Sequence, residues 1–210
     1  TNKKILMFFI YRILIYLIIL ISPIILIFRI FNKKEDIKRF KEKFCFFSKY
    51  RKKGNLIWFH GASVGELLSI IPIIEKLEKN KNFKKILITS NTVSSSKVIK
   101  KFKFRKVTHQ FYPIDTDFFC KKFLSHWKPS LAFFIDSEIW PNMIKNLDKK
   151  KIPIIILNAR ITKKSFNRWK ILGNFTKGIF KKITLALPSN LESKKFLKIL
   201  GTKNIKVAGN

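Results

Sequence analysis

Two short runs hold most of the chemistry available to this chain. The first, His60-Gly61-Ala62-Ser63-Val64-Gly65-Glu66, leads out of an apolar stretch and into a helical pattern. Its glycines permit a tight turn and close approach by a ligand. Ser63 with Glu66 three residues on has the spacing of a capping box, the structural reading. The chemical reading is a general base, a carboxylate at a helix start aimed into a cleft and able to take a hydroxyl proton. It requires the Glu66 side chain to face open space. The segment has neither a P-loop lysine nor G-x-G-x-x-G spacing, so a nucleotide phosphate is poorly supported there. Without a G-x-S-x-G elbow, Ser63 and His60 give no case for acyl chemistry.

The second run is Asp136-Ser137-Glu138-Ile139-Trp140-Pro141-Asn142. Carboxylates two residues apart repel unless one is protonated or paired. Arg160, in Asn158-Ala159-Arg160, ends the next apolar run and is placed to supply the partner charge. Asn158 and Arg160 could otherwise hold an anionic group. The bland alternatives are an N-cap by Asp136 or Ser137 and a surface salt bridge. Trp140 reads as packing. Only 12 carboxylates occur in 210 residues, and Glu66, Asp115, Asp136 and Glu138 all follow apolar runs instead of dotting solvent-facing helices. His60, His109 and His126 share no metal spacing and read as structural. Cys45 and Cys120 fit no metal or redox pattern and read as buried, inert thiols.

The elements that must position these groups alternate. Apolar runs over 55–60, 85–89, 108–112, 130–135, 152–157, 183–187 and 205–208 predict strands. Helical spacing falls over 66–77, with Pro72 as a kink, and over 94–102, 117–127, 141–147 and 190–200. Uniformly apolar strands between helices imply a parallel sheet covered on both faces. In such sheets ligands bind beyond the carboxyl ends of the strands, which is where both runs lie.

Ahead of this domain, residues 5–28 contain a single charge, Arg12. As a helix this stretch is roughly 36 Å long, enough to cross a hydrocarbon core if Arg12 snorkels to one interface. Lys3 and Lys4 precede it; Arg29, Lys33, Lys34, Lys38 and Arg39 follow where a signal peptide would have a cleavage site. The positive-inside bias then puts the bulk of the chain in the cytoplasm. The run KKEDIKRFKEKFCFF predicts an amphipathic helix on an anionic phospholipid surface, or a solvated linker helix.

Net charge is +33 with 47% hydrophobic residues, which excludes a charge-driven disordered chain. Only seven of the 45 basic residues are Arg and they are dispersed, so no specific nucleic-acid reading is expected. Attraction to phosphate-bearing lipids or sugar nucleotides remains.

In order along the chain, KRFKEKF, HGASVGE, ITSNTVSSSKV, FYPIDT, DSEIWPN, NARITKKS and VAGN resemble the membrane-anchored 3-deoxy-D-manno-octulosonic acid (Kdo) transferases of lipopolysaccharide synthesis. The pairing of HGASVGE with SEIWPN, about 70 residues apart, is specific. The resemblance implies a Rossmann-like parallel sheet, the N-terminal domain of a GT-B glycosyltransferase, behind a membrane-anchor helix. It divides the chain into an anchor (1–32), a basic membrane-proximal segment (33–53) and an acceptor-binding domain (54–210). It implies inverting transfer of Kdo from CMP-Kdo to the lipid A precursor at the inner membrane, with no metal and no cofactor beyond the sugar nucleotide. Glu66 takes the place of the proton acceptor and Glu138 that of the transition-state stabiliser. Ser63, Gly65, Asn158 and Arg160 are the expected substrate contacts.

The chain departs from the family at Asn91-Thr92-Val93-Ser94-Ser95-Ser96, where a Thr-rich, Gly-containing loop is common, and at Asp136, where Glu is usual. The family's second, donor-binding domain lies outside these 210 residues, so no transfer is expected from the chain alone. The rival readings are a membrane-tethered basic α/β binding protein and another GT-B nucleotide-sugar transferase.

Overall fold

The computed structural model describes residues 2–32, 34–51, 53–80 and 85–207. Six parallel strands form one sheet: β1 (Leu56–His60), β2 (Lys85–Ser90), β3 (Val107–Phe111), β4 (Leu131–Ile135), β5 (Ile154–Ala159) and β6 (Leu185–Pro188). Their spatial order is β3-β2-β1-β4-β5-β6. Register pairs Phe59 with Ile88 on one side and with Phe133 on the other. Alternation along β1 divides the core, because successive side chains leave opposite faces of a strand. Ile57 and Phe59 join Ile86, Ile88 and Ile135 on one face. Trp58 joins Leu87, Phe134, Ile156 and Ala186 on the other.

Helices α1 (Asn2–Phe31), α2 (Val64–Ser69), α3 (Ile71–Lys79), α4 (Val93–Lys101), α5 (Asp117–Trp127), α6 (Pro141–Lys149), α7 (Lys163–Ile171), α8 (Asn174–Phe180) and α9 (Leu191–Leu200) connect or flank the strands. The strand-to-helix turns use one local device. Ser63, Thr92, Thr116, Thr162 and Asn190 each cap a helix by accepting the amide three residues on, which satisfies a donor that the helix itself leaves over.

Several expectations shift. The helix expected over 66–77 is broken, not kinked: Ile70 ends α2 and Pro72 sits in the first turn of α3, where its missing N–H costs nothing. The run over 205–208 contributes only an isolated bridge, Ile205 with Ala186; 208–210 lie outside the described residues, as does Lys33.

The segment expected to form an amphipathic helix makes one short 3-10 turn, Phe40–Phe44. It covers the open edge of β3 instead. Arg39 Nη2 donates to His109 O at 2.8 Å, and the amide of Phe111 donates to buried Glu42 at 2.9 Å. An uncovered edge strand would leave these groups without partners. Lys38, Lys41 and Lys49 remain exposed.

Candidate active site

The strand order reverses between β1 and β4, since β1 leads outward to β2 and β3 while β4 leads the other way. A crevice opens beyond the carboxyl ends of two strands that part in this manner. His60 closes β1 there, and Asp136 follows β4. Both sequence runs therefore meet at the switch point.

Glu66 is half-buried in the first turn of α2. Its Oε2 accepts the Ala62 amide at 2.8 Å and its Oε1 accepts the Ser63 hydroxyl at 2.8 Å. Ser63 Oγ in turn accepts the Glu66 amide at 3.3 Å. The capping geometry is thus present, and the carboxylate folds back onto its own helix start. A carboxylate offers about four acceptor directions, so two bonds fix its position without exhausting it. Burial raises its pKa; the two hydrogen bonds oppose that, and the charges of Glu138 and Asp136 add to it. The net effect is upward, toward a better proton acceptor.

Gly61 makes this fold-back possible. A Cβ there would stand 3.0 Å from Leu67 Cδ2 and 3.2 Å from Glu66 Cβ. At Gly65 a Cβ would meet no atom within 4 Å, so packing does not demand that glycine, and its exposed position leaves room for a ligand.

Glu138 is oriented from behind. Its Oε2 lies 3.2 Å from His60 Nε2 and accepts the Trp140 indole N–H at 2.8 Å. An ionised carboxylate only accepts, so the hydrogen-bond network assigns the Nε2 proton to the side facing Glu138. Nδ1 of His60 lies 3.0 Å from Thr89 Oγ1, which also accepts from Trp58 Nε1 at 2.9 Å. His60 stacks on Tyr112, ring centroids 3.9 Å apart. A buried polar chain thereby runs from the core to the crevice.

The charge expected from Arg160 for the Asp136–Glu138 pair reaches Asp136, whereas Glu138 is held by His60, whose place at a strand end just before the glycine turn was the available signal. Both ring nitrogens of His60 face other groups, so none serves Ser63. Burial raises the Asp136 carboxyl, Arg160 opposes the rise, and Glu138 reinforces it.

Asp136 and Asn158 both adopt left-handed backbone, φ 61° and 50°, a region in which Asp and Asn are enriched. The register of β5 slips against β6 between Ile156 and Ala159, and this aims Asn158 outward. Asn158 and Arg160 are exposed on the β5 side of the crevice, and Ser63 is exposed at its β1 side.

Of the four strand-end carboxylates, Asp115 stands apart. It is 1% exposed and accepts from Tyr11, Asn142, Met143 and Cys120. It is a structural group. Cys45 and Cys120 are buried free thiols, and burial pushes Cys45 up to about 12. A hollow of about 870 Å³ lies elsewhere, under the β3 edge among Lys38, Lys85, Lys100 and Lys106. At the switch point Ser63, Gly65, Asn158 and Arg160 are exposed and rim a shelf open to solvent.

The sheet order and shelf place the chain among doubly wound α/β folds that bind ligands at a strand switch point. Solved structures agree on the fold. UDP-GlcNAc 2-epimerase from Neisseria meningitidis, bound to UDP-GlcNAc, superposes with TM-score 0.53 at 13% identity over 75% of this chain and 47% of that one. The family follows from sequence: residues 38–210 match the model of 3-deoxy-D-manno-octulosonic-acid transferase (kdotransferase), and the chain belongs to that family.

The 3-deoxy-D-manno-octulosonic acid transferase of Rickettsia bellii is 37% identical over 202 residues, covering 95% of this chain and 48% of that protein. The Rickettsia typhi protein of that name is 38% identical over 157 residues, 74% of this chain and 34% of its own. That of Haemophilus influenzae is 28% identical over 156 residues, 73% and 36%. The chain therefore spans about half the length of the first relative and less of the others.

Proposed function

We propose that this chain is the acceptor-binding half of an enzyme that transfers Kdo from CMP-Kdo to the lipid A precursor (lipid IVA) in lipopolysaccharide synthesis. The single observation that carries the reading is the meeting of Glu66, Asp136 and Glu138 on one shelf at the strand switch point of a Kdo transferase-family domain.

In this reaction the acceptor 6′-hydroxyl loses its proton to Glu66. Its oxygen forms a bond to the anomeric carbon of Kdo, from the face opposite the leaving group. The bond from that carbon to the CMP phosphate breaks, and the electron pair leaves with CMP. Positive charge that develops at the anomeric carbon is stabilised by Glu138, a negative group held in advance by His60 and Trp140. Burial and like charge make Glu66 the stronger proton acceptor, and its two hydrogen bonds hold it in place for the hydroxyl. Ser63 and Gly65 border the acceptor position; Asn158 and Arg160 offer polar and cationic contacts to a phosphorylated glycolipid. No step draws on a metal, and CMP-Kdo enters through the half of the enzyme beyond these residues.

The setting is the cytoplasmic face of the inner membrane. One apolar helix stretch, Phe9–Phe31, is suited to a bilayer, and the basic residues after it suit anionic phospholipid.

The test is Glu66→Gln in a full-length version that carries the donor-binding half. Transfer to lipid IVA should fall by about 10²–10⁴-fold, the range of general base catalysis, while binding of the acceptor stays largely intact. Retained turnover removes Glu66 from the mechanism.

A further inference from the structure

Length and hydropathy make α1 a candidate to cross the membrane, yet its contacts point to another placement. Tyr11, Ile15, Ile19, Ser22, Leu26 and Ile30 recur at helical spacing and are all at least partly covered. This stripe faces the domain, with α8 packed against the helix. Leu14, Leu17, Ile21, Ile24 and Phe28 occupy another face and are 49–70% exposed, the values being 53, 49, 50, 70 and 70%.

Side chains tie α1 down at two places. Nine residues inside its start, Tyr11 Oη donates to Asp115 at 2.7 Å and Arg12 lies 3.1 Å from Asp117. Near its end, Arg29 Nε lies 2.9 Å from Glu35 in the segment that follows, and Glu35 is also held by Lys43 at 2.7 Å. The Lys43 carbonyl accepts the Ile114 amide at 3.0 Å. From Tyr11 to Ile30 a helix rises about 28 Å, close to a hydrocarbon thickness of about 30 Å. A crossing helix whose last turn stays with the following segment would carry Tyr11 and Arg12 away and tear them from Asp115 and Asp117. Asp115 would then be buried with one donor fewer, a costly vacancy.

We propose that α1 lies in the plane of the membrane along the flank of the domain, with its outer face sunk into one leaflet of an anionic bilayer. This explains why the helix is apolar on nearly every side: protein covers one stripe and lipid the others. It also explains why cations gather at both tied places. Arg12 and Lys121, sharing Asp117, lie at the first; Arg29, Lys34 and Lys43 lie at the second. Both groups can then meet headgroups of the same leaflet. The inference rests on the membrane anchoring proposed above and specifies its geometry. It places the domain against the bilayer surface, where a glycolipid acceptor resides.

The experiment is a depth profile by nitroxide labels. Single cysteines at Leu14, Leu17, Ile21, Ile24 and Phe28 are labelled in the full chain, reconstituted into phosphatidylethanolamine–phosphatidylglycerol vesicles, and compared for access to oxygen and to a water-soluble nickel chelate. All five positions are exposed, so the labels leave the packing intact, and the two native thiols are buried. The in-plane helix predicts one shallow depth shared by all five sites. A depth that changes steadily by about 1.5 Å per residue, from one headgroup layer through the centre to the other, overturns the in-plane geometry and leaves anchoring standing. Water-like access at every site overturns anchoring itself.

Discussion

Glu66 and Asp115 both follow a strand of the same sheet and both lie near a capped helix start, yet their surroundings assign them opposite work. Asp115 is sealed in, and donors arrive from three separate places: Tyr11 of α1, Cys120 of α5, and the first amides of α6. Burial pushes its carboxyl upward and those donors oppose the shift. Every acceptor direction is committed, so it can fasten elements together but can hardly receive a proton from a substrate. Glu66 takes only two local bonds, remains half in solvent and shares its shelf with two like charges. What separates a fastening carboxylate from a reactive one here is the number and origin of its donors, since residue type and strand-end position are shared.

Substitutions can break this contrast at several levels. Asp115→Ala should have the largest effect on stability, about 3–5 kcal/mol, because it strands Tyr11 Oη and the amides of Asn142 and Met143 in the interior. Urea unfolding followed by tryptophan fluorescence would measure it, and a loss under about 1 kcal/mol would contradict the fastening role. Gly61→Ala should cost about 1–3 kcal/mol by overpacking, since its Cβ presses on Leu67 and Glu66. It should also reduce transfer in a full-length version, because the same clash displaces the Glu66 carboxylate.

Ser63→Ala has the smallest expected cost, about 0.5–2 kcal/mol for a lost N-cap. It also removes one of the two bonds that hold the Glu66 pKa down. The acid limb of a full-length enzyme's pH–rate profile should therefore move to higher pH in this variant. A limb that stays in place would separate Glu66 from the titrating group. The sign for stability is the same for Glu66 and Asp136. Both are raised by folding, so their contribution is full at low pH and is lost as pH rises through the raised folded values.

Much of this could be read from the chain. Strand-end turns built from glycines and cap residues announced the edge of the sheet where ligands bind, and α5 was bounded correctly at Asp117 and Trp127 because its cap and its apolar spacing agree. Two helices went unread. α7, KKSFNRWKI, hides one buried phenylalanine, Phe166, among four cations, and α8 is only seven residues long.

The contact of His60 with Glu138 is hidden for a different reason. Charge points to Arg160, which does act on Asp136, but the adjacency of β1 and β4 in the sheet sets His60 beside Glu138, and sequence separation of 78 residues conceals that. The basic run before the domain was misread as amphipathic helix because its phenylalanines fit a helical stripe; the open backbone of β3 is a stronger demand.

The central claim is that Glu66 shares a shelf with Glu138 and feels its charge. It is tested most directly by titrating the Glu66 carboxyl carbon by NMR in this chain and in Glu138→Gln. The account predicts a Glu66 pKa above the ordinary glutamate value in the native sequence and a fall when the Glu138 charge is removed. An ordinary value, identical in the two proteins, would contradict it.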